Sequence, residues 1–490
     1  MWRDVIEMLE VREREDKYEV PSEFAVPDLA KVLPADGRIE RATATLDSVY
    51  YDTGDHDLFR HHVTLRRRSG GSDAGWHLKV PAEKARTEIQ LPPDDNGDSI
   101  PAEFADLVAG VALGKPLHPV AMISTVRSVH RLCDRDGTLL AEVADDRVQA
   151  TAVGVSARAS QWREVEVELG EGGDEKLLAR IGKRLTRGAA HPSERGSKLD
   201  RALSGDDERT VAADGTARSV LLAYVDAQIQ AIVAGDVALR RGHDPIHPTR
   251  VGIRRLRSTL RVYRPLFDAG ARDWFDDELS WYAGLLGEVR DREVQRERFA
   301  SAVAALPPEL VMGPVAARIE NDLLAEQLHH RAVVMEALNG DRYRTLFTAL
   351  TAWRTDPPLT AAVTAPRSIE KGSRRAERKA LERIRAAATG TDDEALHRAR
   401  KAAKRARYAA ELAAPVLGKK PAKKKVKRYK KLQEVLGEHQ DSVVAAGILR
   451  TLGARAGSTP GENGFTFGLL YGLEQHAAQQ ARVDATRLAT

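Results

Sequence analysis

Along the chain, the spacing of apolar and polar positions changes character once. Through the first 200 residues, apolar and polar positions alternate in short runs: TATLDSVYYDT, VTLRRRS, GWHLKVP, TEIQL, TLLAEVADD and WREVEVEL. A period of two marks strands that turn one face inward. Turn-rich stretches at Ser69–Gly75 and Pro92–Pro101 separate these runs, and Glu103–Gly110 and Glu175–Leu185 have helical spacing. Residues 8–204 are therefore expected to form an α+β domain built on antiparallel strands. Beyond residue 216 the alternation disappears, and alanine, leucine, arginine and glutamate recur at helical spacing, which predicts an all-α domain over 216–488. Between the two, residues 205–215 are polar, acidic and glycine-punctuated, the composition of a linker.

The helical part repeats itself. His247, Arg250, Arg254, Arg255 and Arg257 recur 150 residues later as His397, Arg400, Lys404, Arg405 and Arg407. The same offset carries Leu286-Gly287-Glu288 and Asp291 onto Leu436-Gly437-Glu438 and Asp441. Two separated motifs sharing one offset point to duplicated halves, about 216–340 and 366–488, packed with pseudo-symmetry.

Charge sharpens the division. The net charge of +4 conceals 30 Lys+Arg against 39 Asp+Glu in residues 1–210, and 46 against 33 in residues 211–490. The basic half suits an acidic partner. One cysteine, Cys133, excludes an internal disulfide framework. With no signal-like leader and no run of about 18 apolar residues, a soluble cytoplasmic protein without membrane attachment is expected.

On a helix turning about 100° per residue, His247, Arg250, Arg254, Arg257 and Arg261 fall within roughly 80° of one another. His397, Arg400, Lys404 and Arg407 repeat that stripe, with Glu411 where Arg261 stands. Stacked like charges cost a helix a few tenths of a kcal/mol per pair, which makes sense where an anion neutralises them. Guanidinium forks suit phosphate oxygens. The run from Lys419 to Lys431 reads either as a solvated loop leading into a helix or as a point-charge array for a polyanion. On these residues, 216–488 resembles the CHAD family, named for its conserved histidines and helical domain. That resemblance implies inorganic polyphosphate binding in a basic central channel.

In the first domain Glu13, Glu15 and Lys17 alternate and would share one face of a strand. Arg66 and Arg68 share a face, as do Glu164, Glu166 and Glu168. Lys79, Arg86, Glu88, Arg127, Arg131, Glu142, Asp145 and Lys198 stand on or beside strand-like segments. A closed antiparallel barrel with such an interior would be a charged tunnel, with carboxylates for Mg²⁺ and cations for phosphate. The Glu-x-Glu-x-Lys element, with Tyr51-Asp52-Thr53, Leu65-Arg66-Arg67-Arg68, Lys79, the Glu164-Glu166-Glu168 strand and Ser197-Lys198, resembles the CYTH family, the triphosphate tunnel metalloenzymes. The resemblance implies that Glu13, Glu15 and Lys17 are catalytic. It makes Glu13, Glu15, Glu164, Glu166 and Glu168 metal ligands for Mg²⁺ or Mn²⁺, and Arg66, Arg68, Lys79, Arg127 and Lys198, together with Lys17, triphosphate ligands.

The expectation is a metal-dependent inorganic triphosphatase in an antiparallel β-barrel tunnel, joined to a helical polyphosphate-binding domain. Two alternatives stand beside it: a non-catalytic polyphosphate-binding or targeting protein, and a basic helical domain for nucleic acid. Few aromatics near the stripes argue against base stacking, although Tyr263 and Tyr408 keep it open.

Overall fold

The computed structural model describes residues 9–81, 86–93, 99–154, 157–204, 216–365, 367–389 and 393–489. The expected linker, 205–215, and the side chain of Glu13 lie outside the described residues. Two compact units divide the chain, Met1–Thr210 and Val211–Thr490.

The first unit is built on an antiparallel sheet of β1 (Leu9–Glu13), β2 (Glu15–Glu19), β3 (Arg38–Asp52), β4 (Thr64–Ser69), β5 (Gly75–Pro81), β6 (Arg86–Leu91), β7 (His118–Cys133), β8 (Leu139–Ala152), β9 (Arg158–Leu169) and β10 (His191–Pro192). Their order is β1-β6-β5-β4-β3-β7-β8-β9-β2-β10. The hydrogen-bonded ladder does not close on itself as a strict barrel would. Instead, one extended segment, interrupted at Arg14, gives its first half to β6 and its second to β9, and so belongs to both ends of the sheet. Successive residues of one strand cannot pair with each other, which is why no ladder joins β1 to β2.

The unit's helices are α1 (Asp57–Arg60), α2 (Ala102–Val108), α3 (Glu175–Arg187) and α4 (Lys198–Ser204). Leu177, Ile181 and Leu185 of α3 pack with Tyr18, Val143, Val165 and Val167 on one face of the sheet. On the opposite face Leu199 and Ala202 of α4 join Tyr50, Ile123, Val148 and Ala150. The alternation of β9 separates these faces: Val165 and Val167 point one way, Glu164, Glu166 and Glu168 the other. Strand β7 was not legible as an alternating run, because Met122 and Val126 are exposed and apolar residues occupy both of its faces.

The second unit contains α5 (Ala217–Arg240), α6 (Ile246–Val262), α7 (Ala269–Ala304), α8 (Val315–Ala337), α9 (Asp341–Thr355), α10 (Ser368–Thr389), α11 (Asp393–Leu412), α12 (Ala414–Leu417), α13 (Lys419–Ala456) and α14 (Phe465–Ala489). Helix α5 packs on α6, α6 on α7 and α7 on α8; α10 on α11, α11 on α13 and α13 on α14 follow the same succession, and α6 meets α11. By length and composition α5 could cross a membrane, yet Val225, Ile229, Ile232 and Val233 are buried as core. The lysine run is the start of α13 rather than a loop: buried Ala422, Tyr429, Leu432 and Leu436 give it a helix-spaced apolar face.

Candidate functional site: a charged cavity and a basic helix contact

Inside the first unit lies a cavity of about 460 Å³ lined by seven basic side chains, Lys17, Arg66, Arg68, Lys79, Arg127, Arg131 and Lys198, and six acidic ones, Glu15, Asp73, Glu88, Glu142, Glu166 and Glu168. Alternation aims them there. Each belongs to the inward set of its strand, except Asp73 in the β4–β5 turn and Lys198 at the start of α4.

Two groups of carboxylates stand at this space, the first of them reaching its lining through Glu166. Asp146, Glu164 and Glu166 each offer an oxygen within 4.8 Å of the others. Asp146 is fully buried and takes two hydrogen bonds from Arg127, at 2.8 and 2.6 Å. Lys198 Nζ lies 2.9 Å from Asp146, 2.8 Å from Glu164 and 2.9 Å from Glu166. Lys17 Nζ donates to Glu166 at 2.7 Å, and the other oxygen of Glu166 accepts from Arg127 at 2.7 Å. The second group is a cross-strand row: Glu15 opposite Glu168, and Glu168 opposite Glu142.

These neighbours set the charges. Burial opposes the charge of Lys17, but Glu166 and Glu15 outweigh it and hold the ammonium above the ordinary lysine range. Lys198 is likewise buried, yet raised by Asp146, Glu164 and Glu166. Burial pushes Glu166 up, whereas Lys17, Lys198 and Arg127 together hold it well below the usual carboxylate range. Glu168 moves the other way: burial raises it, and Glu15, Glu142 and Glu88 add to that against Lys79.

The expected residues are thus divided. Lys17, Arg66, Arg68, Lys79, Arg127 and Lys198 line one cavity together with Glu15, Glu166 and Glu168. Glu164 and Glu166 fall in the tight carboxylate trio, while Glu15 and Glu168 stand in the separate row. Glu13 sits in β1 opposite Arg86. Asp146 was missed; its signal was the alternation of AEVADD, since Glu142 facing inward places Asp146 inward too. Asp145, singled out from the sequence, points outward and pairs with Arg163 at 2.7 Å.

In the second unit the stripes are less bare than the sequence suggested, because carboxylates arrive from other helices. Arg250 pairs with Asp291 at 3.0 Å and Arg400 with Asp441 at 3.4 Å. Arg250 also donates to the Gly287 carbonyl at 3.1 Å. A side chain at Gly287 or Gly437 would press on the guanidinium of Arg250 or Arg400, at 3.3 and 3.4 Å, so the repeated glycine leaves room for the repeated arginine. Asp276 takes Arg257 at 2.8 Å and Arg261 at 2.7 Å, and Glu411 takes Arg255 at 3.0 Å and Arg407 at 3.5 Å. Arg254 and Lys404, equivalent positions in the repeat, make no ion pair among the described residues. Burial, then Arg400 and Arg254, lower Lys404 to about 7. Burial and arginine neighbours lower His247, and His397 is lowered by burial and Lys401. Tyr263 and Tyr408 are both buried and offer no open ring for stacking.

The first unit is thus an antiparallel sheet whose inner face carries a charged cavity, and the second a set of helices in which basic α6 meets basic α11. The sequence pattern of the CYTH domain matches residues 12–201, and that of the CHAD domain matches residues 223–450. The chain belongs to the family that joins a CYTH domain, the fold of the triphosphate tunnel enzymes, to a CHAD domain. Two uncharacterized proteins of Mycobacterium tuberculosis, from strains CDC 1551 and H37Rv, are each 36% identical to it over 504 residues, covering 97% of this chain and 94% of theirs. Among solved structures, PptA from Streptomyces chartreusis is 20% identical, with a TM-score of 0.48 over 56% of this chain and 98% of its own. The CHAD domain from the plant Ricinus communis is 27% identical, with a TM-score of 0.45 over 57% and 93%.

Proposed function

We propose that residues 8–204 hydrolyse inorganic triphosphate or short polyphosphate with Mg²⁺ or Mn²⁺, and that residues 216–488 bind inorganic polyphosphate between α6 and α11. The observation that carries this reading is the cavity's composition. Seven cations converge on one space, and among the described residues the single aromatic side chain lining it is Tyr50, whose hydroxyl is engaged by Arg66. Arg66, Arg68, Lys79 and Arg127 are the ligands for phosphate oxygens, while Lys17 and Lys198 hold Glu166 in place.

The trio Asp146, Glu164 and Glu166 fits a hard divalent cation, being all oxygen. Lys198 Nζ is 2.8 Å from Glu164 Oε1, but at an angle that makes no hydrogen bond, leaving that buried oxygen with coordinating capacity to spare. A Mg²⁺ held there would offset charge on the phosphate oxygens and help orient the attacking water. Glu15 and Glu168, with Glu13 on the adjoining segment, are the candidates for a second position. In the helical unit Arg254 and Lys404 form the centre of the polyphosphate site, flanked by Arg250, Arg257, Arg261, Arg400, Arg407, His247 and His397. The burial of Tyr263 and Tyr408 favours a polymer without bases over single-stranded nucleic acid.

Phosphate release from tripolyphosphate, followed across a Mg²⁺ titration, tests the first half. The wild type should turn over only with metal, and Glu166→Gln should lose about a hundredfold or more. A wild type without metal-dependent release defeats the reading.

A further inference from the structure

His77 lies on β5, directly opposite Arg66 of β4 on one side and Gln90 of β6 on the other. It is 1% exposed, and both of its ring nitrogens are engaged. Nδ1 is 2.6 Å from Glu88 Oε1, and Nε2 is 2.7 Å from the carbonyl oxygen of Asp73. Both of those atoms are acceptors. A neutral imidazole has a single N–H, so making both contacts with an ionised Glu88 takes a hydrogen on each nitrogen.

Glu88 is the carboxylate on which two of the cavity's cations depend. Arg66 Nη2 donates to its Oε1 at 3.1 Å, and Lys79 Nζ lies 3.6 Å from Oε2. Arg66 also donates to Tyr50 Oη at 3.3 Å. Asp73, whose carbonyl receives the other side of the imidazole, pairs through its carboxylate with Arg68. Gly70, Gly71 and Gly75 give this turn backbone angles with φ of +77°, +77° and +144°. A Cβ at Gly75 would sit 2.3 Å from the Leu91 carbonyl oxygen, so the turn is held close to β6. One buried ring therefore touches both supports of the Arg66, Arg68 and Lys79 group without reaching the cavity itself.

We propose that His77 is a positioning residue for the phosphate-binding cations: it clamps Glu88, which aims Arg66 and Lys79, and it pins the turn whose Asp73 holds Arg68. This deepens the triphosphate reading and rests on it. The charged and titratable groups around the ring are Glu88 of β6, Arg66 and Arg68 of β4, Lys79 of β5, Tyr50 of β3 and Asp73 of the turn.

Two amides separate the ring's two roles. In His77→Asn the side-chain nitrogen takes the place of Nδ1 and can still donate to Glu88; in His77→Gln it takes the place of Nε2 and reaches only the Asp73 carbonyl. With the full-length protein and tripolyphosphate, His77→Gln should raise KM about tenfold with kcat changed less than about threefold, as for loss of one hydrogen bond to a charged group that serves ground and transition states alike. His77→Asn, which keeps the Glu88 contact and loses only the hold on the turn, should raise KM by less, about threefold. Equal kinetics for the two variants, or an unchanged KM in His77→Gln, overturns the proposal. A second measurement does not depend on turnover: histidine ¹⁵N shifts should report both ring nitrogens of His77 hydrogen-bonded in the wild type, and a displaced Nδ1 signal in Glu88→Gln. An Nδ1 signal that Glu88→Gln leaves unmoved, in a protein whose wild type is active, sinks the clamp alone, whereas a displaced signal in a protein that neither binds nor hydrolyses tripolyphosphate sinks the substrate reading alone.

Discussion

Lys404 would make the proposed polyphosphate surface responsive to pH. Burial, Arg400 and Arg254 all disfavour its charge, with Arg407 adding to them and only Asp441 opposing, and it is lowered to about 7. In an unfolded chain the same lysine titrates near 10.4. Between those values the unfolded state binds a proton that the folded state has released, so this group's contribution to stability rises with pH from about 7 upward. Polyphosphate bound at the proposed site would have the opposite preference, since it would favour the ammonium. Its affinity should fall as pH rises from 7 to 9, and Lys404→Gln should flatten that part of the profile. His247 and His397, both lowered from the ordinary histidine value, affect only the more acidic limb. Binding measured by calorimetry at pH 6, 7, 8 and 9 decides it; a wild-type profile flat above 7 would show that Lys404 keeps its charge throughout.

Short elements carry more of the site than their length suggests. Helix α4 has seven residues, yet its first, Lys198, touches all three carboxylates of the trio, while Leu199 and Ala202 sink into an apolar cluster on the same face of the sheet. The position of the ammonium is therefore fixed by packing one residue away. Leu199→Ala should destabilise the first unit by about 2–4 kcal/mol. It should also lower kcat/KM for tripolyphosphate even in the fraction that stays folded, whereas Leu199→Met should do little. Thermal unfolding and kinetics on the same samples read both effects; full activity in Leu199→Ala would mean that Lys198 is placed by its ion pairs alone. Such elements also mark where sequence reading stops. Period-two runs announced β3, β4, β5, β6, β8 and β9, and each run fixed which side chains share a face. Strand β7 was hidden because its outward positions include Met122 and Val126, and Asp146 was passed over for its outward neighbour Asp145. The helical stripes were legible, but their compensation was not: Asp276, Asp291 and Asp441 come from neighbouring helices 15 to 41 residues away, and no local period reports a partner across a helix–helix contact.

At the scale of the whole chain, the electrostatic division coincides with the structural one. Residues 1–210 hold 30 basic against 39 acidic residues, residues 211–490 hold 46 against 33, and the compact units separate at the same place. Each unit has its own buried clusters, and every residue proposed for hydrolysis lies in the first. The fragment 1–210 should therefore retain tripolyphosphate hydrolysis, and the fragment 211–490 should retain polyphosphate binding. Within the latter the ion pairs redistribute the expected weight of the stripes. Arg250 and Arg400 are already answered by Asp291 and Asp441, so Arg254 and Lys404 should dominate. The double variant Arg254→Gln, Lys404→Gln keeps helix propensity nearly unchanged and should account for most of the affinity lost in the fourfold variant that also replaces Arg250 and Arg400. By analogy with single-stranded nucleic acid, losing two phosphate contacts should reduce the salt slope of log K by about 1 to 2. Competition between long-chain polyphosphate and duplex DNA at matched phosphate concentration supplies the reference. If DNA wins, or if the double variant binds polyphosphate as tightly as the parent, the contact between α6 and α11 is an internally neutralised packing surface and the polymer must bind elsewhere.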